Sequence, residues 1–278
     1  MRRGGRDVVD GQDDERNRVL DSARIDSTVP ASARIWNYWM GGKDNYAVDR
    51  LAGDAWAEVN PEIVNEARQS RQFLIRVVQY LAGETGIRQF LDIGTGLPTM
   101  QNTHEVAQGI APESRIVYVD NDPMVLAHAR ALLTNTTPGG VTTYLDADAR
   151  NPERIIADAH NVLNFNEPIA VMFMGILGHL ADYDEARSIV SRVMTAVPSG
   201  SHLALYDGVN TDEAKVEAET AYADTGAIAY HNRSPEQISR FFEGLELIPP
   251  GLISISQWRP DGETVKPTGS YGAVARKP

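Results

Sequence analysis

Three aspartates that close three successive apolar runs have the clearest chemical use in this sequence. The first run ends Phe90-Leu91-Asp92-Ile93-Gly94-Thr95-Gly96-Leu97-Pro98-Thr99. Gly-x-Gly after a buried strand lets the chain turn tightly and lets a ligand approach the backbone. A pyrophosphate-binding dinucleotide site calls for a third glycine at position 99, where this chain has Thr99. Asp92 stands where a carboxylate can hold a cationic group. In the second run, Val117-Tyr118-Val119-Asp120-Asn121-Asp122-Pro123, Asp120 suits the two hydroxyls of a ribose. Asp122 suits the N-cap of a helix opened by Pro123. The third run is followed by Asp146-Ala147-Asp148-Ala149-Arg150. There Asp148 can accept from the exocyclic amine of an adenine while the amide of Ala149 donates to its ring nitrogen. Each acid alone reads equally well as a turn residue. Three of them on consecutive strand ends point to a nucleoside site.

Four other segments carry candidate chemistry. Met174-Gly175-Ile176-Leu177-Gly178-His179-Leu180 ends the fourth run. His179, titratable near neutral pH, is the candidate general base, with packing or helix capping as its structural alternative. In Gly41-Gly42-Lys43-Asp44-Asn45-Tyr46, Lys43 is one of four lysines against 22 arginines. It can pair with a ligand carboxylate while Asn45 and Tyr46 line a lid, or it can stand in solvent on a Gly-Gly turn. Trp36, Tyr38, Trp39 and Trp56 pack a helical region, and Tyr38 or Trp39 is a candidate wall of an acceptor pocket. Tyr230, His231 and Arg233 are further candidate acceptor contacts.

Composition narrows the chemistry. With no cysteine, the 278-residue chain has no disulfide, zinc–thiolate site or thiolate nucleophile. No HExxH spacing occurs, and the adjacent His104 and Glu105 do not share a helix face, so no metal site is expected. The net charge of -12 argues against broad attraction to nucleic acid or anionic membrane. No signal-like apolar core opens the chain and no run approaches the ~20 apolar residues of a membrane helix. A cytoplasmic protein without a membrane partner is expected.

These residues need a scaffold that collects strand ends. From Ser32 to about Ala82 the periodicity is helical, broken at Gly41-Gly42. From Arg88 onward, apolar runs alternate with helical segments: Phe90–Ile93, Arg115–Val119, Thr142–Leu145, Ile169–Met174 and His202–Tyr206. That pattern predicts a parallel sheet covered on both faces. The closing runs, Leu252–Trp258 and Ser270–Ala275, are joined by a turn-rich stretch and predict an antiparallel pair. The expected organisation is a tail over 1–28, a helical cap over 29–85 and a single α/β body over 86–278.

With these motifs in place, residues 29–278 resemble the class I S-adenosylmethionine-dependent methyltransferases. The closer resemblance is to the actinobacterial S-adenosyl methyltransferase family, first catalogued as a domain of unknown function. It is carried by PASARIWNYWMGGKDNYAVDR, RQFLDIGTGLPTMQNTHEVAQ, RIVYVDNDPMVLAHARALL, YLDADARNPE and GLISISQWRP. The resemblance implies an α/β fold with a Rossmann-like seven-stranded sheet, its last strand antiparallel, beneath an N-terminal helical cap. It implies S-adenosylmethionine as cofactor, with Asp92, Gly94 and Gly96 at the methionine part, Asp120 at the ribose and Asp148 at the adenine. Thr95, Asn121, Ala149 and Gly175 complete the expected cofactor set, with Lys43, Asn45 and Tyr46 as its lid. An insertion over about 207–233 is expected to roof the acceptor site. The expected reaction is direct in-line methyl transfer to a small molecule. The alternative is a cofactor-binding regulatory or structural protein without transfer, and monomer or homodimer stays open.

Overall fold

The structure is a computed structural model that describes residues 25–98, 101–132, 136–211, 229–260, 262 and 266–278. Thr99, most of the expected tail and positions 212–228 of the expected insertion therefore lie outside the described residues.

Three helices precede the sheet: α1 (Ser32–Trp39), α2 (Ala47–Val59) and α3 (Ile63–Gln79), the last running into a π turn over Tyr80–Glu84. The α1–α2 break falls at the glycine pair. Gly41 has φ +83°, and a Cβ on Gly42 would strike the Asn37 amide. Ile35, Trp39, Ala52, Trp56, Ile63 and Ala67 form a separate small core that joins the three helices.

Five parallel strands follow, β1 (Gln89–Ile93), β2 (Arg115–Asp120), β3 (Val141–Asp146), β4 (Ala170–Met174) and β5 (His202–Gly208). The helices between them are α4 (Thr103–Ile110), α5 (Pro123–Leu132), α6 (Pro152–Ala159) and α7 (Tyr183–Ala196). After β5, the described residues continue with α8 (Pro235–Ser239) and the strands β6 (Glu246–Leu247), β7 (Ile253–Ser254) and β8 (Ser270–Arg276).

The order across the sheet is β3-β2-β1-β4-β5-β8-β6. β8 runs antiparallel to β5, and β6 and β7 both pair antiparallel with β8. β6 meets Ala275 and Arg276 while β7 meets Tyr271 and Gly272, so the two share one outer position and the sheet is seven positions wide. Strand order reverses between β1 and β4, where α/β sheets open a ligand crevice at their carboxyl ends.

Side chains alternate between two cores. Phe90 and Ile116 join Phe73, Val77 and Leu81 of the cap side. Leu91 and Val117 face Ile155, Ile189 and Val193 on the other side. The expected strand Leu252–Trp258 is cut to two residues and continues as a 3-10 turn over Ile255–Gln257. The cause is local: Arg76 donates to the carbonyls of Ile255 (2.7 Å) and Trp258 (2.9 Å), and Trp258 is buried edge-on against Phe73. No helix among the described residues is long and apolar enough to cross a membrane.

Candidate active site

A cavity of about 500 Å³ opens at the carboxyl ends of β1, β2 and β4, within the size range of small-molecule sites. Its wall contains Gly94, Thr95, Gly96, Asp120, Asn121, Asp148, Ala149, Gly175 and His179. The topology thus brings nine of the expected residues to one space.

The glycine loop is built for backbone approach. Gly94 and Gly96 have φ of +77° and +68°, the left-handed region that glycine enters without steric cost. A Cβ on Gly94 would lie 2.5 Å from Ile176, whereas one on Gly96 would meet nothing within 4 Å. Asp120 holds this loop against β2. Its Oδ2 accepts from the Gly96 amide (2.8 Å), and its Oδ1 accepts from Asn121 (2.9 Å) and Asp122 (3.0 Å). A carboxylate offers about four acceptor positions. Three are occupied, so this arrangement leaves room for one hydroxyl rather than the bidentate pair expected. Burial pushes Asp120 up to about 6, against the pull of those amide bonds. Asp122 caps α5 by accepting from the Met124 amide. Asp148 accepts from the Arg150 amide and lies 3.6 Å from its guanidinium.

Asp92 does not reach the cavity wall. It is 2% exposed, accepts from Thr103 through Oδ2 at 2.7 Å, and its Oδ1 has no hydrogen-bond partner among the described residues. Burial raises it to about 6, opposed by the Thr103 bond and by the charge of Arg71. Arg71, from α3, does line the cavity. Burial lowers its pKa while Asp92 raises it, so the pair is electrostatically coupled. Sequence reasoning missed Arg71. It lies within the polar run Arg68–Gln72 of α3, where no signal in the sequence sets it apart from its neighbours.

The Gly41–Tyr46 segment is not at the cavity; Lys43, Asn45 and Tyr46 are absent from its wall. Asn37 Oδ1 accepts from the Asp44 amide and the Asn45 side chain, folding the segment onto the end of α1, and Lys43 is exposed. Tyr46 begins α2. The cover comes instead from Ile25, Asp26 and residues 29–34, with Trp36 and Met40. Asp49, fully buried, fixes that cover: it accepts from the Ala31 amide (3.0 Å), Arg34 Nε (2.8 Å) and the Tyr46 amide (2.8 Å).

A second, aromatic chamber adjoins the first, lined by Trp36, Trp39, Trp56, Ile63, Glu66 and Tyr230, and sharing Ser32, Trp36 and His179 with it. Its volume is about 30 Å³, the share of one water. Trp39 walls it, with Nε1 on the Gly53 carbonyl, but Tyr38 points away to Asp54 and lines neither space. His231 is exposed and lines neither; its amide donates to the Gly178 carbonyl. Arg233 is buried and paired with Asp207 at 2.5 Å.

His179 sits at the junction. Its Nδ1 is 3.2 Å from the Ala229 carbonyl, which only accepts, so Nδ1 carries the proton. Its Nε2 then presents a lone pair to Ser32 Oγ at 3.0 Å. Burial pushes the imidazole below its usual pKa, favouring the neutral form.

The parallel sheet, the bare glycine loop and the strand-end acids define a nucleoside-binding α/β protein of the methyltransferase type. The chain belongs to the S-adenosyl methyltransferase family, whose model matches residues 18–278. Two solved structures agree over nearly its whole length. A DUF574 family protein from Streptomyces avermitilis is 41% identical, with TM-score 0.86, covering 91% of this chain and 99% of its own. A protein from Thermobifida fusca described as a candidate methyltransferase is 37% identical, with TM-score 0.83, covering 90% and 96%. No curated protein matches the sequence. The protein is an S-adenosylmethionine-dependent methyltransferase.

Proposed function

We propose that the methyl acceptor is a small molecule with a protic nucleophile, a hydroxyl or an N–H, and that transfer is a direct in-line displacement with His179 as base. One observation carries this reading: His179, its Nδ1 bonded to the Ala229 carbonyl, turns Nε2 to the junction of the two cavities, where Ser32 Oγ now lies 3.0 Å from it.

The cavity fits the cofactor. A glycine loop at positive φ lets the ligand approach the backbone closely, and Asp120 keeps one acceptor position for a ribose hydroxyl. Asp148 and Ala149 would hold the adenine, and Arg71 would take the methionine carboxylate in place of Lys43. S-adenosylmethionine supplies an electrophilic methyl group. The protein's part is to align the acceptor and receive its proton. His179 Nε2 accepts the acceptor's O–H or N–H proton as the new bond to carbon forms, and the Ala229 carbonyl steadies the imidazolium through Nδ1. A covalent enzyme intermediate is unnecessary.

The tightness of the aromatic chamber favours a second reading, a cofactor-binding regulatory protein with a closed acceptor space. Incubation with methyl-labelled cofactor and metabolite libraries separates the two. Label transfer by the wild type and its loss in His179→Ala supports the base. Transfer undiminished in His179→Ala removes the base, and no transfer to any acceptor favours the regulatory reading.

A further inference from the structure

We infer that Tyr230 and Asp207 are positioning residues that hold His179 in the Nδ1–H tautomer, so that its Nε2 lone pair faces the acceptor side. The inference rests on the reading of His179 as the base, but its test does not need an acceptor.

The network is continuous from β5 to the imidazole. Asp207, at the end of β5, is fully buried. Its Oδ1 accepts from the Tyr230 hydroxyl and its Oδ2 from Arg233 at 2.5 Å. Arg233 also donates to the Leu180 carbonyl at 2.8 Å, and its amide donates to the Gly208 carbonyl at 3.0 Å. The His231 amide bonds the Gly178 carbonyl at 2.7 Å. Segment 229–233 is thereby fastened both to β5 and to the 3-10 turn Leu177–His179.

Ala229, next in the chain to Tyr230, carries the carbonyl that receives the His179 Nδ1 proton. The Tyr230 ring stands edge-on to the imidazole at 5.1 Å and 89°. It lies so close over Gly178 that any Cβ there would collide with it. Gly178 is therefore required by the ring's position and not by its own backbone angles, since its φ is not positive. The Tyr230 hydroxyl is spent on Asp207, so this residue serves His179 through the backbone rather than reaching an acceptor with its own oxygen.

A neutral histidine has two tautomers, and a hydrogen bond at one nitrogen selects between them. Loosening segment 229–231 weakens that selection. Removing the Tyr230 hydroxyl does so while Arg233 still neutralises Asp207.

The test is long-range proton–nitrogen NMR on the full chain labelled with ¹⁵N-histidine, with His179→Gln assigning the resonances. In the wild type, His179 is expected to show one protonated and one unprotonated nitrogen. In Tyr230→Phe and in Gly178→Ala the two nitrogen shifts are expected to converge as the tautomers mix. Tyr183→Phe, which removes a nearby hydroxyl bonded to the Gln237 carbonyl, is expected to leave them unchanged. Unaltered shifts in folded Tyr230→Phe overturn the positioning role, as does an equal change in Tyr183→Phe. A correct tautomer response with undiminished turnover in His179→Ala would defeat the base reading alone.

Discussion

Ser32 Oγ and His179 Nε2, 147 residues apart in sequence, lie 3.0 Å apart and join the cap to the loop after β4. Because Nδ1 already donates to Ala229, the hydroxyl must donate to Nε2. Ser32 thus occupies the position an acceptor hydroxyl would take, and the residues covering the cavity and the candidate base form one unit.

Replacing Ser32 by alanine should expose that lone pair at small structural cost, ~1 kcal/mol for one neutral hydrogen bond. Diethyl pyrocarbonate acylates neutral imidazole nitrogens, and peptide mapping reads each histidine separately. His179 is expected to react several-fold faster in Ser32→Ala. An unchanged rate would show that the hydroxyl does not guard Nε2.

Arg71 and Lys43 make opposite predictions for the cofactor. Arg71 lines the cavity and is coupled to Asp92, while Lys43 is in solvent. Loss of a charge-assisted bond costs ~1.5–3 kcal/mol, so Arg71→Ala should weaken S-adenosylmethionine binding by about tenfold or more. Lys43→Ala should leave the affinity within about twofold, the usual range for a surface change. Calorimetric titration of both variants decides it, and a reversed order would return the lid to Gly41–Tyr46.

The two loop glycines should differ in their sensitivity. Alanine at either pays the left-handed backbone cost of ~1 kcal/mol. At Gly94 the new methyl also meets Ile176 at 2.5 Å, and overpacking adds ~1–3 kcal/mol. Gly94→Ala should therefore lower the denaturant midpoint markedly more than Gly96→Ala. Equal losses would mean that Ile176 yields freely.

The parallel sheet was legible because buried strands such as Phe90–Ile93 are continuous apolar runs, and the helical cap because its periodicity repeats over several turns. The short β6 and the truncated β7 were not, since two residues carry no periodicity and the turn after β7 is dictated by Arg76, about 180 positions away. The strand-end acids were legible as a set for the same reason as their strands. The roles of Lys43 and Arg71 were not. Lys43 stands in the break between two helices and Arg71 is one of three arginines on α3, and only packing decides which cation faces the cavity. Tyr230 likewise shows in sequence as an aromatic near a loop, with nothing to indicate that its hydroxyl is committed to Asp207.

Asp92 and Asp120 give folding and binding opposite dependences on pH. Both are pushed up to about 6, chiefly by burial, from the ordinary 3.8. Between those values the folded protein holds protons that the unfolded chain has released. Their contribution to stability is therefore present at low pH and is lost as pH rises through about 6. Binding runs the other way: the surroundings of the cavity gain negative charge as the two acids ionise, which favours the cationic cofactor, so affinity should rise across the same window. Asp92→Asn isolates one arm, because an amide oxygen still accepts from Thr103 and no proton is taken up there. Melting curves of the ligand-free protein from about pH 4.5 to 7 should show a shallower decline in Asp92→Asn than in the wild type. Calorimetry over the same range should show a smaller gain in affinity. Identical slopes for the two proteins would place the titration elsewhere and remove Asp92 from the electrostatics of the site.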